Sequence, residues 1–195
     1  LFFFNDTATT EIYTRSIVVS VRCVLETAIM LVPDKIPSNI LNYIDRGIKA
    51  ITVPFVNTKE ELEAVVDCCY FMPRGHRSFT SNRVSRFGFV KDLKKMMEDT
   101  NNDLLLMPQI EDIIAYENLD EMLTVDGVEI FAGGPNDLAQ SMGFPGEPNH
   151  PDCIKVTDEG TEKIHAAGKF RNEDVMISVE VTHALRDAIQ KMLNS

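Results

Sequence analysis

No apolar run in the sequence approaches the roughly 18 residues that a membrane-spanning helix needs. Residues 1–6 also lack the basic segment and the longer apolar stretch of a signal peptide. We therefore expect no membrane partner and a cytoplasmic location. Residues 1–14 resemble translated sequencing-adapter sequence, so we exclude them from the fold and assign residues 15–195 to a single domain.

Cysteine patterns that form disulfide frameworks or zinc sites are absent as well. The four cysteines, Cys23, Cys68, Cys69 and Cys153, include no Cys-x-x-Cys pair, and two of them are adjacent in a helical pattern. We expect them to serve as small buried hydrophobic residues in a reducing compartment.

Cationic side chains are scarce. The chain has 19 Lys and Arg against 30 Asp and Glu, and its formal net charge is −11. Nucleic-acid binding requires clustered Lys and Arg to neutralise phosphates, and anionic membrane surfaces attract the same side chains. The charge argues against both partners, and its simplest consequence is solubility.

Short apolar runs alternate with amphipathic stretches along the remaining sequence. Helices are predicted to open at Pro37 and at Thr58, where Glu61 completes a capping box. The order predicts a parallel sheet covered by helices, with about five or six strand–helix units rather than the eight of a full barrel. The predicted strands lie at residues 17–21, 28–32, 50–53, 104–107, 127–131 and 175–179, and the last helix at 181–193.

A basic loop at residues 73–88 interrupts this alternation. Its arginines could bind an anionic substrate or pair with the acidic surface of a neighbouring subunit, and we favour the second use. They are Arg74, Arg77, Arg83 and Arg86.

Polar residues that follow strands are the best candidates for chemistry, because active sites of parallel α/β folds lie at the carboxyl ends of the strands. Gln109 and Glu111 follow one apolar run, and strand alternation places them on the same side. The residues alone leave an alternative, in which Glu111 caps a helix that starts near Asp112.

A second candidate is the segment Gly133-Gly134-Pro135-Asn136-Asp137. The two glycines allow a ligand to approach the backbone, and the N–H groups of Asn136 and Asp137 would form an anion site at a helix start. Here the pattern alone favours the alternative, in which Asp137 is a helix N-cap.

Two carboxylates that follow different strands, with an anion pocket beside one of them, predict a site for Mg²⁺ or Mn²⁺. Such a site could chelate a 2-oxo acid and stabilise its enolate. No histidine shows His-x-x-x-His spacing. We therefore interpret His76, His150, His165 and His183 as surface or packing residues.

Several stretches together resemble a known family. Residues 29–195 resemble the HpcH/HpaI aldolases, which are class II pyruvate aldolases related to 2,4-dihydroxyhept-2-enedioate aldolase. The matching stretches are Ile51-Thr52-Val53-Pro54, Asn57-Thr58 with Glu60-Glu61, Pro73-Arg74-Gly75-His76-Arg77, Gln109-Ile110-Glu111, Gly134-Pro135-Asn136-Asp137-Leu138 and Met142-Gly143.

The resemblance implies a TIM-type (β/α)8 barrel of the phosphoenolpyruvate/pyruvate superfamily, here without its first strands. It implies a divalent metal, Mg²⁺ or Mn²⁺ with Co²⁺ as a further candidate, bound by Glu111 and Asp137. It also implies a homo-oligomer, often a hexamer. The residues that would contact the substrate are Gln109, Gly134, Pro135, Asn136 and Asp137.

The sequence departs from the family at two places. The catalytic histidine of the family has no equivalent here, although Asp45 matches the aspartate that supports it. Leu31 stands where an arginine that stabilises the enolate is expected.

The resemblance implies a lyase that reversibly cleaves a 4-hydroxy-2-oxo acid into pyruvate and an aldehyde. One alternative is a citrate-lyase-β-like enzyme acting on a CoA thioester, which would use the arginines of the basic loop. Another is a non-catalytic fragment or structural subunit of such a barrel.

Overall fold

Parallel strands joined by helices build the part of the chain that is described, in agreement with the predicted α/β class. The computed structural model describes residues 29–82 and 84–175. The strands are β1 Ile29–Leu31, β2 Ala50–Val53, β3 Leu105–Ile110, β4 Ile130–Gly133 and β5 Phe170–Arg171. Each strand pairs in parallel with the next, in the order β1-β2-β3-β4-β5.

The helices run between these strands. Pro37 occupies the first turn of α1, and Gly47 follows that helix with a φ of +94°, a conformation that glycine adopts without steric cost. Thr58 caps α2 as predicted, since its hydroxyl accepts a hydrogen bond from the N–H of Glu61. The helices are α1 Pro37–Ile44, α2 Lys59–Cys69, α3 Leu93–Asp103, α4 Ile113–Glu117, α5 Leu119–Met122, α6 Pro135–Ser141, α7 Pro151–Ala166 and α8 Asn172–Val175.

One face of the sheet packs against the helices and forms the main core. From the strands, this core takes Ile51 and Val53 of β2, Ile110 of β3 and Phe131 of β4. The opposite face carries a separate small cluster that contains Met107, Ile130 and Ala132. This second face is the side that a closed barrel would enclose.

Several element boundaries differ from the predictions. β3 continues to Ile110 and so includes Gln109, and β4 begins at Ile130 and ends at Gly133. β5 was not predicted, because the two-residue strand Phe170–Arg171 lacks an apolar run. α8 was not predicted either, and Val175, the predicted start of a strand, is the last residue of that helix. Several predictions lie outside the described residues. They concern residues 1–14, 17–21, 176–179 and 181–193, and also Cys23, Arg83 and His183.

Two further predictions can be compared with the described residues. Cys69 and Cys153 are buried and Cys68 is half-buried, all with free thiols, which confirms the hydrophobic role for these three. None of the helices in residues 29–82 and 84–175 is long and apolar enough to cross a membrane.

Candidate active site at the carboxyl edge of the sheet

The carboxyl ends of β3 and β4 bring the two predicted acidic residues together. Asp137 lies close enough to Glu111 for its carboxylate to raise the pKa of Glu111. A Cβ atom added at Gly134 would lie 2.6 Å from Glu111 Oε2 and 3.1 Å from Gln109 Nε2. Gln109 Nε2 also donates a hydrogen bond of 3.3 Å to the carbonyl of Gly133. The structure thus gathers Gln109, Glu111, Gly134 and Asp137 at one point.

Glu111 is the buried member of this group, with only 3% of its surface exposed. Burial raises the pKa of Glu111, and the nearby carboxylate of Asp137 raises it further. The N–H of Phe55 donates to Glu111 Oε1 at 3.0 Å, and this hydrogen bond lowers the pKa. Glu111 is therefore a carboxylate whose negative charge is poorly compensated.

The structure removes the capping alternatives for both acidic residues. Asp112, rather than Glu111, caps α4, because its side chain accepts from the N–H of Ile114. Gly134 is the N-cap residue of α6, and Asp137 lies inside its first turn. Asp137, unlike Glu111, is exposed at the surface.

The two glycines before α6 make room for protein side chains. A Cβ at Gly134 would lie 2.5 Å from Glu111 Cβ, and a Cβ at Gly133 would lie 2.2 Å from Arg171 Nη2. The expectation that both glycines clear space for a ligand therefore needs correction, since Glu111 and Arg171 occupy those directions. Arg171 was not predicted, because it lies on the short strand β5.

A backbone segment after β2 closes one side of the site. Phe55 has a φ of +52°, a left-handed conformation that costs a non-glycine residue about 1–3 kcal/mol and clusters at functional sites. Its N–H reaches Glu111, and its carbonyl accepts from Lys35 Nζ at 3.0 Å. The next residue, Val56, donates to the carbonyl of Gln109 at 3.3 Å. No sequence signal marked Phe55, because phenylalanine rarely adopts this conformation. Lys35 was not predicted either.

Asp45 is not part of this group. It follows α1 and precedes β2, so it lies at the amino edge of the sheet, whereas Glu111 and Asp137 follow strands. Its carboxylate accepts from Arg77 Nη2 at 2.7 Å. Arg77 borders a groove of about 720 Å³ at this amino edge, which neither Glu111 nor Asp137 lines. A catalytic role for Asp45 stays a prediction that receives no support from its position.

The arginines of the basic loop that are described serve contacts within the chain. Arg77, with 2% of its side chain exposed, pairs with Asp45 and stacks on Phe71. Arg74 donates to the carbonyl of Asn101 and lies over the Tyr70 ring. Arg77 is therefore unavailable to a neighbouring subunit, whereas pairing of the exposed Arg74 with one stays a prediction.

The described histidines also lie away from the candidate site. His76 interacts with Asp67, His150 stacks on Phe144, and His165 contacts Asp174. These contacts fit the predicted surface and packing roles.

The two carboxylates fit a divalent cation of the hard, oxygen-binding type. No described lysine, arginine or histidine forms an ion pair with Glu111 or Asp137. A group of three or more metal-binding side chains is not found in residues 29–82 and 84–175. Mg²⁺ commonly uses one or two carboxylates and completes its shell with water and substrate. The residues present match that arrangement.

Comparisons with known proteins identify the family of the chain. Residues 22–192 match the model of a family described as HpcH/HpaI aldolase/citrate lyase. A 2-keto-3-deoxy-L-rhamnonate aldolase of Klebsiella pneumoniae is 37% identical over 134 residues, which are 68% of this chain and 49% of that protein. A 4-hydroxy-2-oxovalerate aldolase of Rhodococcus jostii is 33% identical, over 73% of this chain and 54% of its own length. The chain thus spans about half the length of these curated relatives.

Solved structures show the same fold. A citrate synthase, SbnG, aligns with a TM-score of 0.66 and 25% identity, covering 82% of this chain and 60% of that one. An HpcH/HpaI aldolase/citrate lyase family protein from Burkholderia cenocepacia aligns with a TM-score of 0.66 and 20% identity, covering 85% and 72%. The parallel sheet described here is consistent with part of a TIM-type barrel, as predicted.

Proposed function

The chain belongs to the HpcH/HpaI aldolase/citrate lyase family, and from that premise we propose that it is the metal-binding part of a pyruvate aldolase. The proposed reaction is the reversible cleavage of a 4-hydroxy-2-oxo acid into pyruvate and an aldehyde. Two relatives with aldolase names support this reaction class. The single observation that carries the proposal is the buried Glu111 carboxylate, which lies near Asp137 and has no cationic partner among the described residues.

We assign the metal ligands to Glu111 and Asp137, with Mg²⁺ or Mn²⁺ as the ion and Co²⁺ as an alternative. When bound, the ion would supply Lewis-acid stabilisation of the negative charge that develops on the 2-oxo acid. Burial of Glu111 excludes water from one side of the site and so strengthens electrostatic interactions there.

The remaining residues of the group would bind and orient the substrate. Gln109 presents its amide beside Gly134, and Pro135 fixes the turn into α6. The N–H groups of Asn136 and Asp137 belong to the first turn of that helix, where backbone donors lack helical partners and suit a carboxylate. Asp45 has no part in this proposal, because it lies at the amino edge of the sheet and the candidate site lies at the carboxyl edge.

The citrate-lyase-β-like alternative is less well supported. It would need a cationic site for the phosphates of CoA, and the basic loop was the sequence candidate for it. Arg77 is buried against Asp45 and so is not free to bind phosphate, and Arg74 already donates to the carbonyl of Asn101. The proposal also includes a cytoplasmic location, which the free buried cysteines support, and a homo-oligomer, which rests on family resemblance.

Calorimetric titration with Mn²⁺, with and without pyruvate, tests the proposal. We expect the wild-type chain to bind Mn²⁺ and pyruvate to tighten the binding, because both carboxylates and the substrate contribute ligands. Glu111→Gln should abolish binding. Glu117→Gln, which removes an exposed acidic side chain on α4, is the matched control and should bind like the wild type. A folded wild-type chain that does not bind Mn²⁺ would refute the metal assignment.

A further inference from the structure

Lys35 is a cationic side chain at the carboxyl edge of the sheet whose use the proposed function leaves open. It follows β1 in the turn Pro33-Asp34-Lys35, which Asp34 stabilises by accepting from the N–H of Ile36 and from Asn39 Nδ2. The ammonium group donates to the carbonyl of Phe55 at 3.0 Å and pairs with Glu61. Two partners therefore fix its position.

Phe55 links this ammonium group to the candidate metal ligand. Its carbonyl accepts from Lys35 and its N–H donates to Glu111 Oε1, both at 3.0 Å. These two groups lie on opposite sides of the Phe55 Cα, so the two hydrogen bonds together define the φ and ψ of that residue. The resulting φ of +52° is one that a phenylalanine rarely adopts without such support.

We propose that Lys35 is a positioning residue for the candidate metal site and that it acts on Glu111 through the backbone of Phe55. The inference rests on the proposed function, because it assumes that Glu111 binds a cation. Loss of the Lys35 contact would let Phe55 relax towards an ordinary negative φ. The N–H of Phe55 would then turn away from Oε1, and the Glu111 carboxylate would lose its orientation.

Glu61 holds Lys35 in place from the other side. Its carboxylate contacts the ammonium group and also accepts from the N–H of Asn57 at 2.9 Å. Burial acts to raise the pKa of Glu61, but the hydrogen bonds from Lys35 and Asn57 outweigh it, so the pKa is lowered. Glu61 therefore stays ionised at neutral pH, and its contacts join α2 to the segment that carries Phe55.

The sign of the effect distinguishes positioning from simple charge repulsion. An ammonium group near a metal site repels the incoming cation, so its removal should tighten binding if charge were its whole effect. Positioning predicts the opposite result. Loss of residues that orient metal ligands typically lowers metal affinity about 10–100-fold.

The experiment is Mn²⁺ titration of the full chain, followed by calorimetry and by the Mn²⁺ electron paramagnetic resonance spectrum. We expect Lys35→Met to weaken Mn²⁺ binding by about tenfold or more and to change the spectrum, because the coordination of Glu111 is altered. Lys35→Arg should restore most of the affinity. Lys59→Met is the control, because it removes a cation of α2 that pairs only loosely with Glu63, at 3.8 Å.

A double-mutant cycle with Phe55→Gly tests the proposed route. Glycine keeps the N–H and adopts a positive φ freely, so Phe55→Gly alone should retain Mn²⁺ binding, and Lys35→Met should weaken it less in that background. Equal effects of Lys35→Met in both backgrounds would refute transmission through Phe55. If Lys35→Met binds Mn²⁺ as tightly as the wild type or more tightly, the inference about Lys35 is overturned and the proposed function still stands. If the wild type does not bind Mn²⁺, the proposed function on which the inference rests is overturned instead.

Discussion

Glu111 is a residue whose environment disfavours its charge when no cation is present. Its pKa is raised from the ordinary value of 4.5, first by burial and then by Asp137. The native state therefore holds a proton that the unfolded chain releases, so stability should fall as the pH rises from about 4.5 through the folded pKa. The metal-free protein carries the full penalty once the pH exceeds the folded pKa.

We predict that Glu111→Gln stabilises the metal-free chain at neutral pH. The amide removes the charge and keeps the shape, so the melting temperature of the variant should exceed that of the wild type in a chelating buffer at about pH 7. The difference should shrink towards about pH 4, where the carboxyl is protonated in both states. Added Mn²⁺ should raise the melting temperature of the wild type only. A wild-type chain that is the more stable one in chelator would contradict this account of Glu111.

Leu31 allows a second test at the residue scale. It is the last residue of β1, pairs with Thr52 in the sheet and leaves 58% of its surface exposed. The family resemblance places an arginine here, and an exposed position should accept one at little cost in stability. We expect Leu31→Arg to tighten pyruvate binding to the Mn²⁺-loaded chain by about tenfold, the equivalent of one charge-assisted hydrogen bond.

Ile29→Arg is the matched control for that substitution. Ile29 lies on the same strand and on the same face, at the amino end, and is also exposed. It should leave pyruvate binding unchanged. Equal tightening by both variants, measured by calorimetry, would indicate a general charge effect rather than a specific position.

Sequence reasoning predicted the residues of the site whose positions follow from local order. Gln109 lies near the end of β3, Glu111 follows that strand, and Asp137 lies in the first turn of the helix after β4. Parallel strands end at one edge, so local order was enough to bring these residues together. Phe55 escaped prediction because its left-handed backbone depends on contacts with Glu111 and Lys35, 56 and 20 residues away. Contacts at such separations leave no local pattern in a single sequence.

At the scale of elements, helix boundaries were predicted better than strand boundaries. The caps of α1 and α2 are encoded by Pro37, Thr58 and Glu61, each within one turn of its helix. Strand ends depend on pairing with a neighbour, so β3 runs on to Ile110 where β4 supplies partners. The two residues of β5 are a strand only because they pair with β4.

The cap of α2 provides a prediction at this scale. The Thr58 hydroxyl accepts from the N–H of Glu61 at 3.3 Å, so Thr58→Ala leaves that donor without its partner. We expect a loss of about 0.5–2 kcal/mol in the free energy of unfolding. Thr161→Ala, within α7, is the control and should change stability little, since alanine favours the helix interior. Urea denaturation of both variants measures the difference, and equal stabilities would refute the capping role.

At the scale of the whole molecule, charge is distributed unevenly. Residues 68–91 contain five cationic side chains and no acidic one, in a chain whose net charge is −11. Of the five, Arg77 is buried against an acidic residue of this chain, as described above. The same segment exposes aromatic rings, with 69% of Phe87 and 89% of Phe89 accessible, beside the partly exposed Phe79. A basic segment with exposed rings complements an acidic surface, and a second copy of this chain offers one.

We therefore predict that the proposed homo-oligomer forms through the segment that carries these rings. Sedimentation velocity should show association that weakens as salt rises, because the attraction is partly electrostatic. Phe87→Ser combined with Phe89→Ser should abolish it, since each replaces an exposed ring by a small polar group. Ile114→Ser on α4, another exposed apolar position, is the control and should associate like the wild type. A wild-type chain that stays monomeric at all concentrations would exclude this interface, and association that survives the double substitution would place the contact on another surface.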